Sequence, residues 1–187
     1  MKRRTVVLAA GVCVSVPGFV MADEKQDKER AEVRKAASDA LAAVYKAQPA
    51  ARKAVESAVG YAAFSNFGMK LLIVGSGTGN GIAVNNKTKA ITYMKMAELQ
   101  AGLGFGVKKF QLVWVFETQE ALDKFVNSGW EIGAQATASA KSGDSGKSYQ
   151  GAVAVSPGVW LYQVTGNSLA AELTAKGTKY FKDSDLN

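Results

Sequence analysis

The sequence predicts an α+β fold in which N-terminal helices precede a curled, mainly antiparallel β-sheet, barrel- or sandwich-like, with one inserted helix. Three observations support this prediction. Apolar residues recur with a helical period up to residue 59, β-type segments joined by short connections follow from residue 60, and one capped helical pattern interrupts them near residue 120. Short connections favour antiparallel pairing, because parallel strands require long crossovers.

The helical lead-in is expected to contain two helices. A dense run of both charge signs at 23–34 is typical of a solvated helix start or a loose N-terminus, and a helical apolar period begins at Val33. Pro49 ends this helix and opens a second one, which Gly60 stops. Both apolar faces are rich in alanine, so packing against a sheet is favoured over insertion into a membrane surface.

The β-rich body follows from residue 60. The expected strands are 61–64, 71–74, 82–85, 90–94, 103–107, 111–116, 134–140, 151–155, 159–164 and 169–175. Residues 85–88 are predicted to form a hairpin turn, and residues 96–101 a short helical or irregular crossing. Residues 141–147 are predicted to form a polar loop, and residues 176–187 a charged tail.

Glycine stands at every second position in 75–81 and again in 102–106. A dinucleotide fingerprint needs G-x-G-x-x-G opening a helix, and no register in either run supplies its third glycine. A phosphate loop ending at 146–148 is excluded because Lys141 stands where its first glycine belongs. We interpret both runs as places where a neighbouring strand or an aromatic ring packs closely on bare backbone.

The inserted helix carries the signals of both its ends. Thr118 is its expected N-cap, Glu120 lies in its first turn, and Ser128-Gly129 closes it. Its apolar face is formed by Ala121, Leu122, Phe125 and Val126.

The first 22 residues are predicted to be a signal peptide. Lys2, Arg3 and Arg4 form a positive start, an apolar core at 6–16 is too short to span a bilayer, and 20–22 fits a small-residue cleavage rule. Cleavage between Ala22 and Asp23 would leave one domain, 23–187, with a helical lead-in at 23–59 and the β-rich body at 60–187. The expected location is then the periplasm or the exterior.

The charge and the cysteine content limit which anchors, covalent links and binding partners are expected. Lipoprotein anchoring through Cys13 is not expected, because Val12 precedes it where a small residue is required. Loss of Cys13 with the signal would leave no thiol or disulfide. Removal of Lys2, Arg3 and Arg4 lowers the net charge from +7 to +4, which suits an anionic membrane surface. No basic-aromatic motif indicates a nucleic-acid partner.

The sequence does not predict an enzyme, a cofactor or a metal site. It contains no histidine, the commonest general base and metal ligand. No G-x-S-x-G elbow occurs, and no spacing pairs the isolated acids Glu98, Glu117, Glu131 and Glu172.

Ordered sequence blocks resemble the SYLF domain, also called the Ysc84 family, from about Val33 onward. The blocks are GYAAFSN at 60–66 with the glycine run after it, QAGLGFG at 100–106, FE with EALDKF at 116–125, NSGWE at 127–131 and GTK at 177–179. The resemblance implies a lipid-binding module of the exported bacterial branch. Eukaryotic relatives bind phosphoinositides, in some cases bundle actin and usually carry an SH3 domain, which is not expected in this protein.

A lipid site would need an apolar cleft with cations at its rim. The candidate cations are Lys70, Lys87, Lys89, Lys95, Lys108 and Lys109. The candidate apolar residues are Tyr61, Phe64, Phe67 and Phe105, together with Trp114, Trp130 and Trp160, of which Trp114 is the clearest core residue.

The expected function is therefore non-enzymatic binding of lipid or a membrane surface, with anionic phospholipid as partner. Two alternatives stay open: an envelope protein-interaction or stress-related structural module that touches no lipid and whose protein partner is unknown, and a cryptic hydrolase built on paired carboxylates or a Ser/Lys pair.

Overall fold

The computed structural model describes residues 17–71, 74–101, 106–132, 149–165, 168–169 and 178–187. The helices are α1 (Pro17–Ala47), α2 (Ala50–Ser57) and α3 (Gln119–Ser128). The strands are β1 (Gly60–Leu71), β2 (Val74–Asn85), β3 (Ile91–Ala101), β4 (Gly106–Phe116), β5 (Trp130–Ile132), β6 (Val153–Ser156), β7 (Val159–Thr165), β8 (Ser168–Leu169) and β9 (Thr178–Lys182).

One antiparallel sheet contains all the described strands. Their order is β5-β9-β3-β2-β1-β4-β7-β6, with β8 paired to β7, and each recorded pairing is antiparallel. The sheet is curled into a half-barrel, with the N-terminal helices packed on it and α3 inserted after β4. The predicted fold class is confirmed.

The face of the sheet that packs against α1 and α2 has one apolar core. Val33, Ala37 and Val44 of α1 repeat with the predicted helical period and are buried against β-sheet residues such as Ala63 and Val113. Small side chains on the helix let it lie close to the strands. We call this the α1 face.

The opposite face, which we call the α3 face, has an aromatic core. The Phe125 ring of α3 lies 5.2 Å from the ring of Trp114 and 6.2 Å from that of Phe64, measured between centroids. Tyr180 of β9 completes the cluster, with its ring 5.0 Å from those of Phe64 and Trp114. The expectation that Trp114 belongs to the core is confirmed, since its side chain is completely buried.

Helix α3 begins and ends where its local sequence predicts. Thr118 accepts a hydrogen bond from the backbone N–H of Ala121 at 3.2 Å, which satisfies one of the free donors of the first turn. Leu122 and Phe125 are its buried residues, and Gly129 follows the last turn at φ 72°, a value that favours glycine.

The first glycine run is part of a strand, so the expected bounds of two separate strands at 71–74 and 82–85 were wrong. Residues 74–85 form β2, which pairs with β1 on one side and β3 on the other. A Cβ placed at Gly81 would collide with the Phe64 ring and the Ala63 carbonyl. The expected close approach of a strand and an aromatic ring is therefore confirmed there.

Three further boundaries differ from the sequence-based expectation. Residues 96–101 continue β3 because β2 pairs with all of them and β9 with those up to Glu98, so the predicted crossing was wrong. The charged tail contains β9, in which the buried Thr178 and Tyr180 alternate with the exposed Lys179 and Phe181. Helix α1 starts at Pro17, ahead of the apolar period that begins at Val33.

Segment 71–74 is not a strand of its own, because β1 ends at Leu71 and β2 begins at Val74. The turn at 85–88 and the strands from 151 to 164 are found close to the expected positions. The predicted strand at 134–140 and loop at 141–147 lie outside the described residues, as do most of the strands expected at 103–107 and 169–175.

Candidate functional site

The four long strands give the sheet two distinct ends. At the end we call the base, Gly60, Asn85, Ile91 and Phe116 lie side by side next to α2 and α3. At the end we call the tip, β1 and β2 meet at Leu71 and Val74, and the ends of β3 and β4 lie beside them. Strands of this length separate the two ends by roughly 35 Å, at about 3.3 Å per residue.

The connections at the tip are apolar. Leu72 and Ile73 separate β1 from β2, and GLGF at 102–105 separates β3 from β4. Neither connection contains a polar residue, although turns in solvent are usually rich in Asn, Asp and Ser. This apolar composition was the signal that the sequence-based interpretation missed, because 71–74 was taken for a strand.

Three candidate lysines lie just behind these connections. In the strand register Lys70 is opposite Gly106, Lys108 is opposite Gly68, and Lys109 is opposite Phe67. Side chains that are an even number of positions apart on a strand belong to the same face. By this rule the position of Lys70 shares the α3 face with Phe64, and that of Lys108 shares it with Trp114. The position of Lys109 belongs to the α1 face. The backbone positions of these lysines therefore belong to both faces of the sheet, close in sequence to two connections of apolar composition.

Lys87 and Lys89 lie at the base instead. Their turn is fixed by Asn85, whose Oδ1 accepts from the N–H groups of Lys87 at 2.9 Å and Thr88 at 3.0 Å. Asn86 donates through Nδ2 to the carbonyls of Val55 at 2.7 Å and Ala58 at 2.9 Å, which ties the turn to the end of α2. The candidate lysines therefore do not form a single ring.

Lys95 belongs to an ion-pair cluster on β3. Its Nζ lies 2.8 Å from Asp183 Oδ1 and 3.0 Å from Asp185 Oδ2. The hydrogen bond to Asp183 is the main cause of the raised pKa of Lys95, and the bond to Asp185 adds to it. This lysine is already neutralised by carboxylates of the C-terminal segment.

The candidate aromatic residues are divided between the two faces and the two ends. Phe64 is completely buried in the α3-face core, and Tyr61 is half-buried on the α1 face, where burial raises the pKa of its phenol. Trp130 packs at the edge of the α3-face core and Trp160 is buried on the α1 face. Phe67 lies near the tip in β1, and Phe105 lies outside the described residues.

Two further properties of the described part of the chain bear on function. None of its helices has both the length and the apolar character that crossing a bilayer requires. Within the same residues, no cluster of three or more His, Cys, Asp or Glu side chains is arranged to hold a metal ion.

Comparison with known proteins relates the chain to one family. Residues 97–187 match the family model described as Ysc84, Las17-binding protein actin regulator. The chain is 33% identical over 169 residues to Beta cell expansion factor A of Aeromonas veronii. That alignment covers 89% of this chain and 62% of the relative, so the chain spans less than two thirds of the relative's length.

Proposed function

The chain carries a Ysc84 (SYLF) family domain, and on this premise we propose that it is an exported, non-enzymatic protein that binds lipid at an anionic membrane surface. The contact is made by the tip of the sheet. The observation that carries the proposal is the pairing of two apolar connections with the lysines directly behind them.

Apolar residues and lysines are stabilised at different depths of a membrane. Leucine, isoleucine and phenylalanine side chains gain about 1.5–3 kcal/mol each when fully transferred out of water. A lysine near an anionic leaflet contributes about 1 kcal/mol, and this attraction decays within a Debye length. In the sequence the lysines stand two to four residues from the apolar connections 72–73 and 102–105, an order that matches acyl chains below phosphates.

The base of the sheet differs from the tip in the composition of its turn. Its turn is polar at every position from Asn85 to Lys89 and is hydrogen-bonded to α2. Lys87 and Lys89 are exposed there, and the large apolar side chain exposed beside them in the described residues is a single isoleucine, Ile91. A protein that bound membranes through lysine charge alone would use either end, whereas this proposal requires the tip.

Co-sedimentation with vesicles tests the proposal. The wild-type protein is expected to pellet with vesicles containing phosphatidylglycerol and to remain largely in the supernatant with phosphatidylcholine vesicles at the same low salt. The double variant Lys108→Glu/Lys109→Glu should lose this binding, since each reversal replaces attraction by repulsion.

The matched control reverses two charges at the opposite end. Lys87→Glu/Lys89→Glu carries the same net charge as the tip variant and is expected to retain most of the wild-type binding. Equal loss in both double variants would mean that net charge, not the tip, drives association. A wild-type protein that pellets with neither lipid would overturn the proposal and favour a protein-interaction role.

A further inference from the structure

Most side chains in the first described turns of α1 do not belong to the core. We call residues 23–34 the front of α1, and apart from Val33 all of their side chains are exposed or half-buried. Further along the helix, Ala37, Ala40 and Val44 are completely buried. Because helices in proteins are stabilised mainly by burial of an apolar face, the front needs another kind of support.

The ion pairs of the front stay within the helix. Lys25 Nζ lies 3.9 Å from Glu29 Oε1, and Arg30 Nη1 lies 3.1 Å from Asp27 Oδ1. Exposed pairs of residues three or four positions apart stabilise a helix weakly. They do not attach the front to the sheet, since both partners move with the helix.

Two arginines attach the front to the rest of the protein. Arg30 Nε donates to the Leu186 carbonyl at 2.9 Å, and Arg34 Nε donates to the Tyr93 hydroxyl at 2.6 Å. The Arg34 guanidinium also lies 5.6 Å from the centroid of the Tyr93 ring. Among the residues that the structure describes, no other hydrogen bond or ion pair joins the front to the sheet or to the C-terminal segment.

The C-terminal segment 183–187, which we call the latch, is fixed more firmly to β3. Asn187 Oδ1 accepts from the Tyr93 N–H, and Asn187 Nδ2 and the Asp183 N–H both donate to the Tyr93 carbonyl. Leu186 is 4% exposed and belongs to the α1-face core. The front therefore has fewer links to the latch than the latch has to β3, and the links of the front break first.

We propose that the front of α1 opens and closes as a unit of its own, while the sheet, the latch and the rest of α1 stay folded. The bonds of Arg30 to the latch and of Arg34 to Tyr93 hold the closed state. Segments that bury few apolar contacts open locally at a lower free-energy cost than the whole fold. The front, about three helical turns long, is such a segment.

The front opens by unwinding rather than by swinging as a rigid helix. Residues 23–48 contain neither glycine nor proline, so the sequence provides no hinge there. Unwinding removes Arg30 and Arg34 and uncovers the side chain of Leu186 and the ring of Tyr93, which is 5% exposed in the closed state. The two states therefore offer different surfaces at one edge of the α1 face. The tip plays no part in this change, so the inference does not rest on the proposed lipid binding.

Hydrogen–deuterium exchange of the backbone amides tests the inference. In the wild-type protein, peptides covering 28–34 should exchange faster than peptides covering 38–47 and slower than an unfolded chain. The double variant Arg30→Met/Tyr93→Phe removes both bonds. It should speed exchange at 28–34 by about tenfold or more, the factor expected for the loss of one hydrogen bond to a charged group. Exchange at 38–47 and in the strands should change far less.

Lys35→Met is the matched control. It removes one positive charge and one ion pair within the same helix, with Asp39 at 2.7 Å, but no contact with the latch or with Tyr93. Its exchange at 28–34 should stay close to wild type. Equal acceleration in the control, or acceleration spread evenly over α1, would overturn the inference. Equal exchange at 28–34 and 38–47 in wild type would do so as well.

Spin labels measure the same equilibrium as a distance. The labels are attached to Glu24→Cys and Ser184→Cys, two exposed positions, in a Cys13→Ser background. The distance distribution should be narrow in this protein and broad when Arg30→Met and Tyr93→Phe are added. A distribution that is broad before these changes would show that the latch does not hold the front. One that stays narrow after them would show that the two bonds do not control it.

Thermal unfolding identifies any variant that does not fold. If the double variant fails to fold, Arg30→Met alone is decisive, because it leaves the buried ring of Tyr93 unchanged. It should raise exchange at 28–34 and not at 38–47, and unchanged exchange at 28–34 would overturn the inference.

Discussion

The side-chain amide of Asn187 forms a reciprocal pair of hydrogen bonds with the backbone of Tyr93. Asn187 Oδ1 accepts from the Tyr93 N–H at 2.9 Å, and Asn187 Nδ2 donates to the Tyr93 carbonyl at 2.8 Å. The amide thereby completes the edge of β3 beyond the end of β9. Arg30 of α1 donates to the Leu186 carbonyl at 2.9 Å, so the same C-terminal segment also holds the long helix.

Asn187→Ala is expected to lower the free energy of unfolding by about 1–2 kcal/mol, because the Tyr93 N–H loses its partner, while the Tyr93 carbonyl still accepts from the Asp183 N–H. Urea denaturation at neutral pH measures the change. Ser184→Ala, an exposed position in the same turn, serves as the control and should stay within about 0.5 kcal/mol of wild type. Equal stability of both variants would show that the amide pair is not formed in solution.

The two carboxylates beside Lys95 are expected to contribute differently to the free energy of unfolding. Asp183 has 4% of its side chain exposed and also accepts from the Asp185 N–H at 3.0 Å, whereas the Asp185 side chain is 73% exposed. Asp183→Ala is expected to cost about 2 kcal/mol of unfolding free energy and Asp185→Ala less than about 0.5 kcal/mol. Chemical denaturation of both variants under identical conditions checks the ranking, and a reversed order would contradict it.

Tyr162 is expected to lower the free energy of unfolding as the pH rises above 10. Burial raises its pKa from 10.0 to about 12. Between these values the unfolded chain has lost the phenolic proton while the folded protein keeps it, so stability falls as pH rises, by up to about 2.7 kcal/mol. Below pH 10 this contribution is fully present.

The Tyr162→Phe variant isolates this effect. The hydroxyl makes no hydrogen bond within the described residues, so its removal should be neutral or slightly stabilising at pH 8. Denaturation from pH 9 to 12 should show a shallower loss of stability in the variant than in wild type. Parallel curves would show that this phenol does not titrate on unfolding.

Gly81→Ala tests why a strand interior contains glycine. A Cβ at this position would meet the Ala63 carbonyl and the Phe64 ring, which is fixed among Phe125 and Tyr180. We expect a loss of about 1–3 kcal/mol from overpacking, measured by thermal or urea unfolding. Asn80→Ala, the exposed neighbour on the other face, should change stability little, and a tolerated Gly81→Ala would contradict the packing argument.

The elements predicted well are those with local signals. Helix α3 is specified by Thr118, Gly129 and the spacing of Leu122 and Phe125, and all of these act within one or two turns. The same holds for Pro49, which lies between α1 and α2. The fold class followed from short connections, which leave antiparallel pairing as the natural arrangement.

The elements predicted poorly depend on partners distant in sequence. Residues 75–81 form a strand because β1 and β3 enclose them, and β9 forms because β3 and β5 pair with it. Each candidate lysine had a charge suited to the rim of a lipid site, but the strand register assigns Lys70 and Lys108 to the tip and Lys87 to the base. Only register determines which charges lie together.

Site-specific fluorescence at the tip tests the central proposal most directly. A polarity-sensitive label is attached to Val74→Cys in a Cys13→Ser background, and a second protein carries it at Thr88→Cys in the polar turn at the base. On addition of phosphatidylglycerol vesicles, the label at 74 should shift to the blue and gain intensity, and the label at 88 should not change. A shift at 88 with none at 74 would contradict membrane contact through the tip.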